Sequence, residues 1–432
     1  MNKSYYLETY GCQMNVADSE LIEGMLSEEG YTPIREMSKA DAIFVNTCAI
    51  REHAEAKVHS RLGLFNKVKR DNPSVIIGVL GCMAQNLKDE LLVNKPYVDI
   101  ILGPDGYRRL PDYLRRNEKK NHIVDTKLSR FEVYDDLFPS RKQGINAWVS
   151  IMRGCDKFCT FCIVPFTRGR ERSRGIDSII AEVSQAVSDG FVEITLLGQN
   201  VNSYQYDSIR FPQLLEAVAA VEGVQRIRYT SPHPQDVTEE LLDVMASYDS
   251  ICNAIHFPLQ SGSDRILKRM NRTYTKKHFI RQVDMMRETI PHIGISTDII
   301  VGFPGEKEED FEDSIDILKK VKFDKVHVAA YSERKGTYAF RKIDDNIPVN
   351  IKRLRLNKVN RLQEEIQLEL NNKYLNSVYK ILIDGKTKDR FYGRTLGDKL
   401  VYIKDINASD LGSIIETEIN EVSPYSLSGS KI

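Results

Sequence analysis

The stretch Gly154-Cys155-Asp156-Lys157-Phe158-Cys159-Thr160-Phe161-Cys162 places three cysteines at C-x3-C-x2-C spacing on one short segment. Three thiolates this close together suit a single metal centre. A structural zinc site normally closes with a fourth protein ligand, and none lies nearby in sequence. Iron–sulfur clusters are held by Cys thiolates, and a cubane held by three would leave one iron open to an outside ligand. A short-range disulfide, or a zinc site completed from elsewhere in the chain, is the competing reading.

Outward from this loop, toward the C-terminus, strand and helix patterns alternate. Apolar or β-branched runs at 147–152, 192–197, 225–229, 253–259, 294–301 and 325–330 read as strands, and 176–188, 211–221, 238–245, 276–288 and 308–321 as helices. Six strands with intervening helices predict a curved, partial (β/α)6 barrel. Ligands of such folds gather at the carboxyl edge of the strands, where the Cys loop follows the first strand. Its spacing resembles that of the radical S-adenosylmethionine (SAM) superfamily, whose open iron chelates the amino and carboxylate groups of SAM. That resemblance makes Phe161 in the loop and Gln199, Gln260 and Asp298 at strand ends the candidate SAM contacts. Glycines between Asp298 and Glu306 would let the backbone approach a flat adenine. Cys252, with no partner nearby, reads as core filler.

Toward the N-terminus, short apolar runs at 5–10, 42–46 and 74–80 are separated by helical patterns at 18–29 and 52–70. This alternation predicts an open, mostly parallel α/β sheet. Each run ends at a cysteine: Cys12, Cys48 and Cys82 lie 36 and 34 residues apart, about one βα unit each. Parallel strands present their carboxyl ends on one edge, so these three should converge as a second cluster site. A plausible last strand at 98–102 and a charged helix at 112–120 close this domain. Residues 121–145 lack periodicity and read as a linker.

Lys+Arg equals Asp+Glu at 61 each, so overall charge predicts no partner and any nucleic-acid surface must be local. Seven cysteines without an apolar leader argue for a reducing cytoplasm, and no apolar run approaches the roughly 20 residues of a membrane span. Two basic runs stand out. Arg168, Arg170, Arg172 and Arg174 form either a solvated loop or phosphate contacts, and the run from Lys352 to Arg361 opens a helix with five cations. The second is the better nucleic-acid candidate. From about Asn372 short strands at 379–383, 391–394, 400–403 and 414–421 read as a small β-barrel with nearly balanced charge.

The motifs Tyr10-Gly11-Cys12-Gln13-Met14-Asn15, Asn46-Thr47-Cys48-Ala49-Ile50-Arg51-Glu52, Cys162-Ile163-Val164-Pro165-Phe166-Thr167-Arg168-Gly169-Arg170-Glu171 and Phe257-Pro258-Leu259-Gln260-Ser261-Gly262-Ser263 resemble those of the radical-SAM methylthiotransferase family. The resemblance spans the whole chain and departs from the family at no cluster ligand, although Phe166 stands where Tyr is usual. It implies an N-terminal domain over 1–120, a linker over 121–145, a radical-SAM domain over 146–371 and a TRAM-like RNA-binding barrel over 372–432. It further implies two [4Fe–4S] clusters. Cys155, Cys159 and Cys162 would ligate the SAM-binding one, and Cys12, Cys48 and Cys82 an auxiliary one that carries sulfur. No other catalytic residue is implied. The substrate would be C-2 of isopentenyl-adenosine in a tRNA anticodon stem-loop, with an electron donor, in a monomeric cytoplasmic protein. Relatives acting on threonylcarbamoyl-adenosine or on a protein side chain share the architecture, but the Pro165–Glu171 run leans toward the isopentenyl-adenosine enzymes.

Overall fold

The structure, a computed structural model, describes residues 3–48, 52–116, 122–142 and 144–432. Ala49, Ile50 and Arg51 of the second motif, residues 117–120 of the expected closing helix and 121 and 143 of the expected linker lie outside the described residues. The chain divides into two compact units. The first comprises Met1–Lys142, Ser150–Asp156 and Cys162–Ser178; the second comprises Gln143–Val149, Lys157–Phe161 and Ile179–Ile432.

The first unit is built on a six-stranded parallel sheet. Its order is Thr32–Pro33, Ser4–Tyr10, Ala42–Thr47, Ile76–Gly81, Ile100–Leu102 and Ile123–Asp125. Side chains alternate across a strand, and both faces are covered. Ala42, Phe44 and Leu80 pack with Leu21, Ile22 and Leu26 of helix Gln13–Glu28. Ile43, Val45, Ile77 and Val79 pack on the other face with Val58, Leu62 and Phe65 of helix Glu52–Asp71. Burial on both sides explains why these strands read as continuous apolar runs. Residues 123–125, expected within a linker, are the sixth strand, pairing Ile100↔Ile123 through Leu102↔Asp125. Three residues are too few for sequence periodicity to register.

The second unit carries two three-stranded sheets. One is ordered Arg226–Tyr229, Glu193–Leu197, Asn146–Ser150, and the other Ala254–His256, Gly294–Val301, Lys325–Ala330. Within the second sheet, pairing is parallel. An isolated parallel bridge, Ile227↔Ile251, leads from one sheet toward the other, as a partial (β/α)6 barrel requires. The helices fall where the apolar spacing puts them. In Lys276–Thr289, Phe279, Val283 and Met286 share the buried face, and Thr275 caps the start by accepting from the His278 N–H. A closed five-stranded barrel follows, ordered Val378–Lys386, Phe391–Arg394, Leu400–Lys404, Leu427–Lys431, Ile414–Val422. Among the described residues, no helix is long and apolar enough to cross a membrane.

Candidate functional site

In the first unit, register brings Cys12, Cys48 and Cys82 to one edge. Tyr10 pairs with Thr47 and Thr47 with Gly81, so three adjacent strands end in a row. Cys48 and Cys82 come one residue after their strands, and Cys12 two residues after its own. Gly11 makes that extra step, at φ +124°, where a Cβ would collide with the Cys48 side chain. Cys12 caps helix Gln13–Glu28, and Cys82 opens helix Cys82–Leu87. The Cys12 thiol is pulled down to about 6, first by a hydrogen bond with Cys48. Arg168 and the backbone at Asn15 assist, against burial and Asp18. Cys82 is pushed up by burial, with Arg168 opposing. Among the described residues, no three His, Cys, Asp or Glu side chains stand in a preset metal-binding arrangement.

Behind these thiols lies a buried ionic network that sequence reading missed. Asp18, inaccessible to solvent, accepts from Arg153 Nη2 at 2.7 Å and Arg168 Nη2 at 2.8 Å. Burial pushes Asp18 up, and the two guanidiniums more than reverse it, leaving it below the usual carboxylate range. Arg168 Nη2 also donates to Asn15 Oδ1 at 3.1 Å, and that oxygen lies 3.6 Å from Cys12 Sγ. Arg172 pairs with Asp105 at 2.9 Å, and Arg174 donates to the Ser150 carbonyl. The 168–174 run is therefore neither a solvated loop nor a phosphate contact: Arg168, Arg172 and Arg174 are buried. Only Arg170 is largely exposed, and it pairs with Asp156. The carboxylate partners of Arg168 and Arg172 are remote in sequence, so the run reads as an exposed basic patch.

The C-x3-C-x2-C loop is shaped by its backbone. Cys155 N–H donates to the Gly169 carbonyl at 3.1 Å, next to a two-residue ladder pairing Met152–Arg153 with Arg172–Ser173. In the second unit, Phe158 takes a left-handed φ of +47°, held by Asn271 Nδ2 donating to the Lys157 and Phe158 carbonyls. Thr160 is fastened to the Met270 and Arg269 carbonyls. Cys159 Sγ accepts from Arg272 Nη1 at 3.4 Å. Arg272 is buried, and its other hydrogen-bond partners are the Tyr274 hydroxyl and the Pro258 carbonyl. No carboxylate pairs with it among the described residues.

The expected SAM contacts divide. Gln260 N–H donates to the Asp298 carbonyl at 2.8 Å, and the Gln260 carbonyl accepts from Ile300. These two candidates are therefore neighbours, but Asp298 lies inside strand Gly294–Val301 rather than at its end, and Gln260 joins that strand by an isolated bridge to Ile299. Phe161 meets Phe303 edge-on at 6.4 Å and packs against the cluster of Ile266, Met270 and Tyr331. Gln199 lies two residues past strand Glu193–Leu197, half-buried. Gly302 does not open toward a ligand, since a Cβ there would meet the Lys352 side chain. A polar row not anticipated from sequence runs along the second sheet. His256 Nε2 lies 3.2 Å from Asp298 Oδ2 and its Nδ1 3.0 Å from Ser296 Oγ, with the His327 ring 5.9 Å away. Burial pushes Asp298 up, but the hydrogen bond from His256 and the charges of His256, His327 and Arg272 hold it below its ordinary value. Cys252 is buried filler, its thiol pushed by burial to about 11.

Residues 4–103 match the family described as Uncharacterized protein family UPF0004, and residues 149–318 match the Radical SAM superfamily. The tRNA-2-methylthio-N(6)-dimethylallyladenosine synthase of Bacteroides fragilis is 43% identical over 441 residues, covering 100% of this chain and 96% of its own. The proteins of the same name from Porphyromonas gingivalis and Caldicellulosiruptor saccharolyticus are 43% and 44% identical, covering 100% of this chain and 95% and 93% of their own. The chain belongs to the radical-SAM methylthiotransferase family. As a methylthiotransferase it is a tRNA-modifying enzyme dependent on SAM and a [4Fe–4S] cluster. The methylthiotransferase chain also shares its fold with the radical SAM methyltransferase TsrM from Kitasatospora setae, at TM-score 0.58 and 12% identity over 76% of this chain and 75% of that one. The cobalamin-dependent radical SAM enzyme OxsB gives TM-score 0.58 at 12% identity, over 95% of this chain and 64% of that one. The residues present fit a cluster: the chain supplies thiol donors, and the buried Arg272 that donates to Cys159 has no carboxylate hydrogen-bonded to it among the described residues, a deficit that cluster ligation would offset.

Proposed function

We propose that this chain adds a methylthio group to C-2 of N6-isopentenyl-adenosine beside the anticodon of tRNA. The observation that carries this reading is the full-length identity to relatives named for that reaction. Cys155, Cys159 and Cys162 would hold the SAM-binding [4Fe–4S] cluster, and Cys12, Cys48 and Cys82 an auxiliary [4Fe–4S] cluster that carries sulfur. When bound, the first supplies the one-electron cleavage of SAM to methionine and the 5′-deoxyadenosyl radical that an unactivated C–H bond demands. Gln199, Gln260, Asp298 and Phe161 would orient SAM, a reading supported for Gln260 and Asp298 by the backbone hydrogen bond between them. The modules at 1–120, 146–371 and 372–432 would hold the auxiliary cluster, activate SAM and grip tRNA, respectively. The C-terminal barrel carries Arg390 over the Tyr402 ring at 4.3 Å and Tyr392 edge-on to Tyr402, cations and rings suited to stacking unpaired bases. A separate electron donor would feed a monomeric enzyme in the cytoplasm.

Anaerobically reconstituted protein, given isopentenylated tRNA, SAM and a reductant, should yield the methylthio nucleoside by mass spectrometry, with about eight irons per chain. Product only on threonylcarbamoyl-adenosine, or only on a protein side chain, would overturn the substrate assignment. Replacing Cys12, Cys48 and Cys82 by Ala should leave 5′-deoxyadenosine formation and abolish the methylthio product. Replacing Cys155, Cys159 and Cys162 by Ala should abolish both.

A further inference from the structure

The buried charges behind Cys12, Cys48 and Cys82 do not cancel. Arg153, Arg168 and Arg172 have side chains 3%, 4% and 5% exposed, and the carboxylates that face them, Asp18 and Asp105, are 0% and 1% exposed. Three guanidiniums thus share two carboxylates. Asp105 is hydrogen-bonded to Arg172, while Arg153 and Arg168 are both hydrogen-bonded to Asp18. Arg153 lies over the Tyr134 ring at 4.6 Å, a partial compensation. Among the described residues Arg168 has no such ring, and its Nη1, like Arg153 Nε and Nη1, is buried without a hydrogen-bond partner. An uncompensated cation inside a protein costs several kcal/mol, so the site is built for one more negative charge. The thiols of Cys12 and Cys82, which act electrostatically on Arg168, can provide it. Arg168 reaches Asn15, whose side-chain oxygen touches Cys12, and Ile163, just before helix Val164–Thr167, packs on Cys82.

A cubane in its resting dicationic state, held by three thiolates, carries one net negative charge. That equals the deficit. We propose that Arg168 is the counter-cation of the auxiliary cluster, a positioning residue that neutralises its charge and turns an N–H toward its sulfur. The assignment rests on the reading that Cys12, Cys48 and Cys82 hold a cluster. Removing the cation makes an added electron less welcome and lowers the reduction potential; removing Asp18 does the reverse.

The test uses full-length protein in which Cys155, Cys159 and Cys162 are Ala, so that only the N-terminal cluster is observed. Iron content and a potentiometric titration followed by electron paramagnetic resonance are compared for this background and for added Arg168→Gln, Arg168→Lys and Asp18→Asn. Arg168→Gln should shift the reduction equilibrium at least tenfold toward the oxidised form, 59 mV for one electron, whereas Arg168→Lys stays near the parent. Iron lost from folded Arg168→Gln but kept by Arg168→Lys supports the same role. Asp18→Asn should raise the potential, and it carries the test alone if Arg168→Gln does not fold. An unchanged potential in Arg168→Gln, or no rise in Asp18→Asn, overturns the assignment. A background protein that binds no iron instead refutes the auxiliary cluster itself.

Discussion

Arg272 sits against Cys159 with a hydroxyl and a carbonyl as its other partners, so the negative charge that cluster ligation would place on Cys159 would offset its own. In protein lacking Cys12, Cys48 and Cys82, Arg272→Lys should retain about four irons. Arg272→Met should lose iron and slow 5′-deoxyadenosine formation at least tenfold; iron analysis and product assay check both. Its neighbour His233 must stay neutral. Burial, then the charges of Arg272 and Lys157, hold His233 down at about 2 against an ordinary 6.5, and its ring accepts from the Gln235 N–H. The unfolded chain takes up a proton that the folded chain refuses. Stability is therefore full above pH 6.5 and declines as pH falls from 6.5 toward 2. His233→Asn should flatten that decline between pH 7 and pH 5 in urea titrations. The cysteines were legible in sequence because each triad follows a local pattern, a tight spacing or a strand end. Arg168 and Arg272 were not, because their partners lie 150 and 113 residues away.

Helix Val349–Asn372 shows the same gap between local and tertiary signals. Its cations read as a free basic stripe, yet Lys352 bonds the Tyr331 carbonyl and Asp345, and Arg355 pairs with Glu306 at 2.8 Å and Glu308 at 2.9 Å. Lys358 pairs with Glu312. Only Arg353 and Arg361 remain exposed without such pairing among the described residues. Glu306 is already raised to about 7 by burial, against the hydrogen bond from Gly302 and the charge of Arg355. Arg355→Met would remove its ion pair and push it further toward the protonated form, readable as a lower urea midpoint. Arg353→Glu and Arg361→Glu should leave that midpoint unchanged while flattening the salt dependence of tRNA binding. The barrel's last strand was missed for a related reason. Leu427–Lys431 reads Leu-Ser-Gly-Ser-Lys, a polar tail by composition. It becomes a strand by pairing parallel to Leu400–Lys404 and antiparallel to Ile414–Val422.

At the scale of the molecule, the β-barrel belongs to the second unit rather than hanging from it. Arg226, 1% exposed, donates to the Arg394 and Lys380 carbonyls; Arg228 pairs with Asp398 and Lys399 with Asp324. Truncation near Leu370 should therefore lower the melting temperature of the remainder as well as its tRNA affinity. Arg390→Ala with Tyr402→Ala should weaken tRNA binding while sparing substrate-free SAM cleavage, which separates the two effects. The knot at Asp18 has a consequence for how this protein is made. Its two counter-ions come from Arg153 and Arg168, 135 and 150 residues later. A ribosome adding roughly 5–20 residues per second needs about 8–30 s to deliver Arg168 after Asp18 has emerged. During that interval the nascent N-terminal sheet holds Asp18 without either guanidinium that offsets its burial in the finished protein.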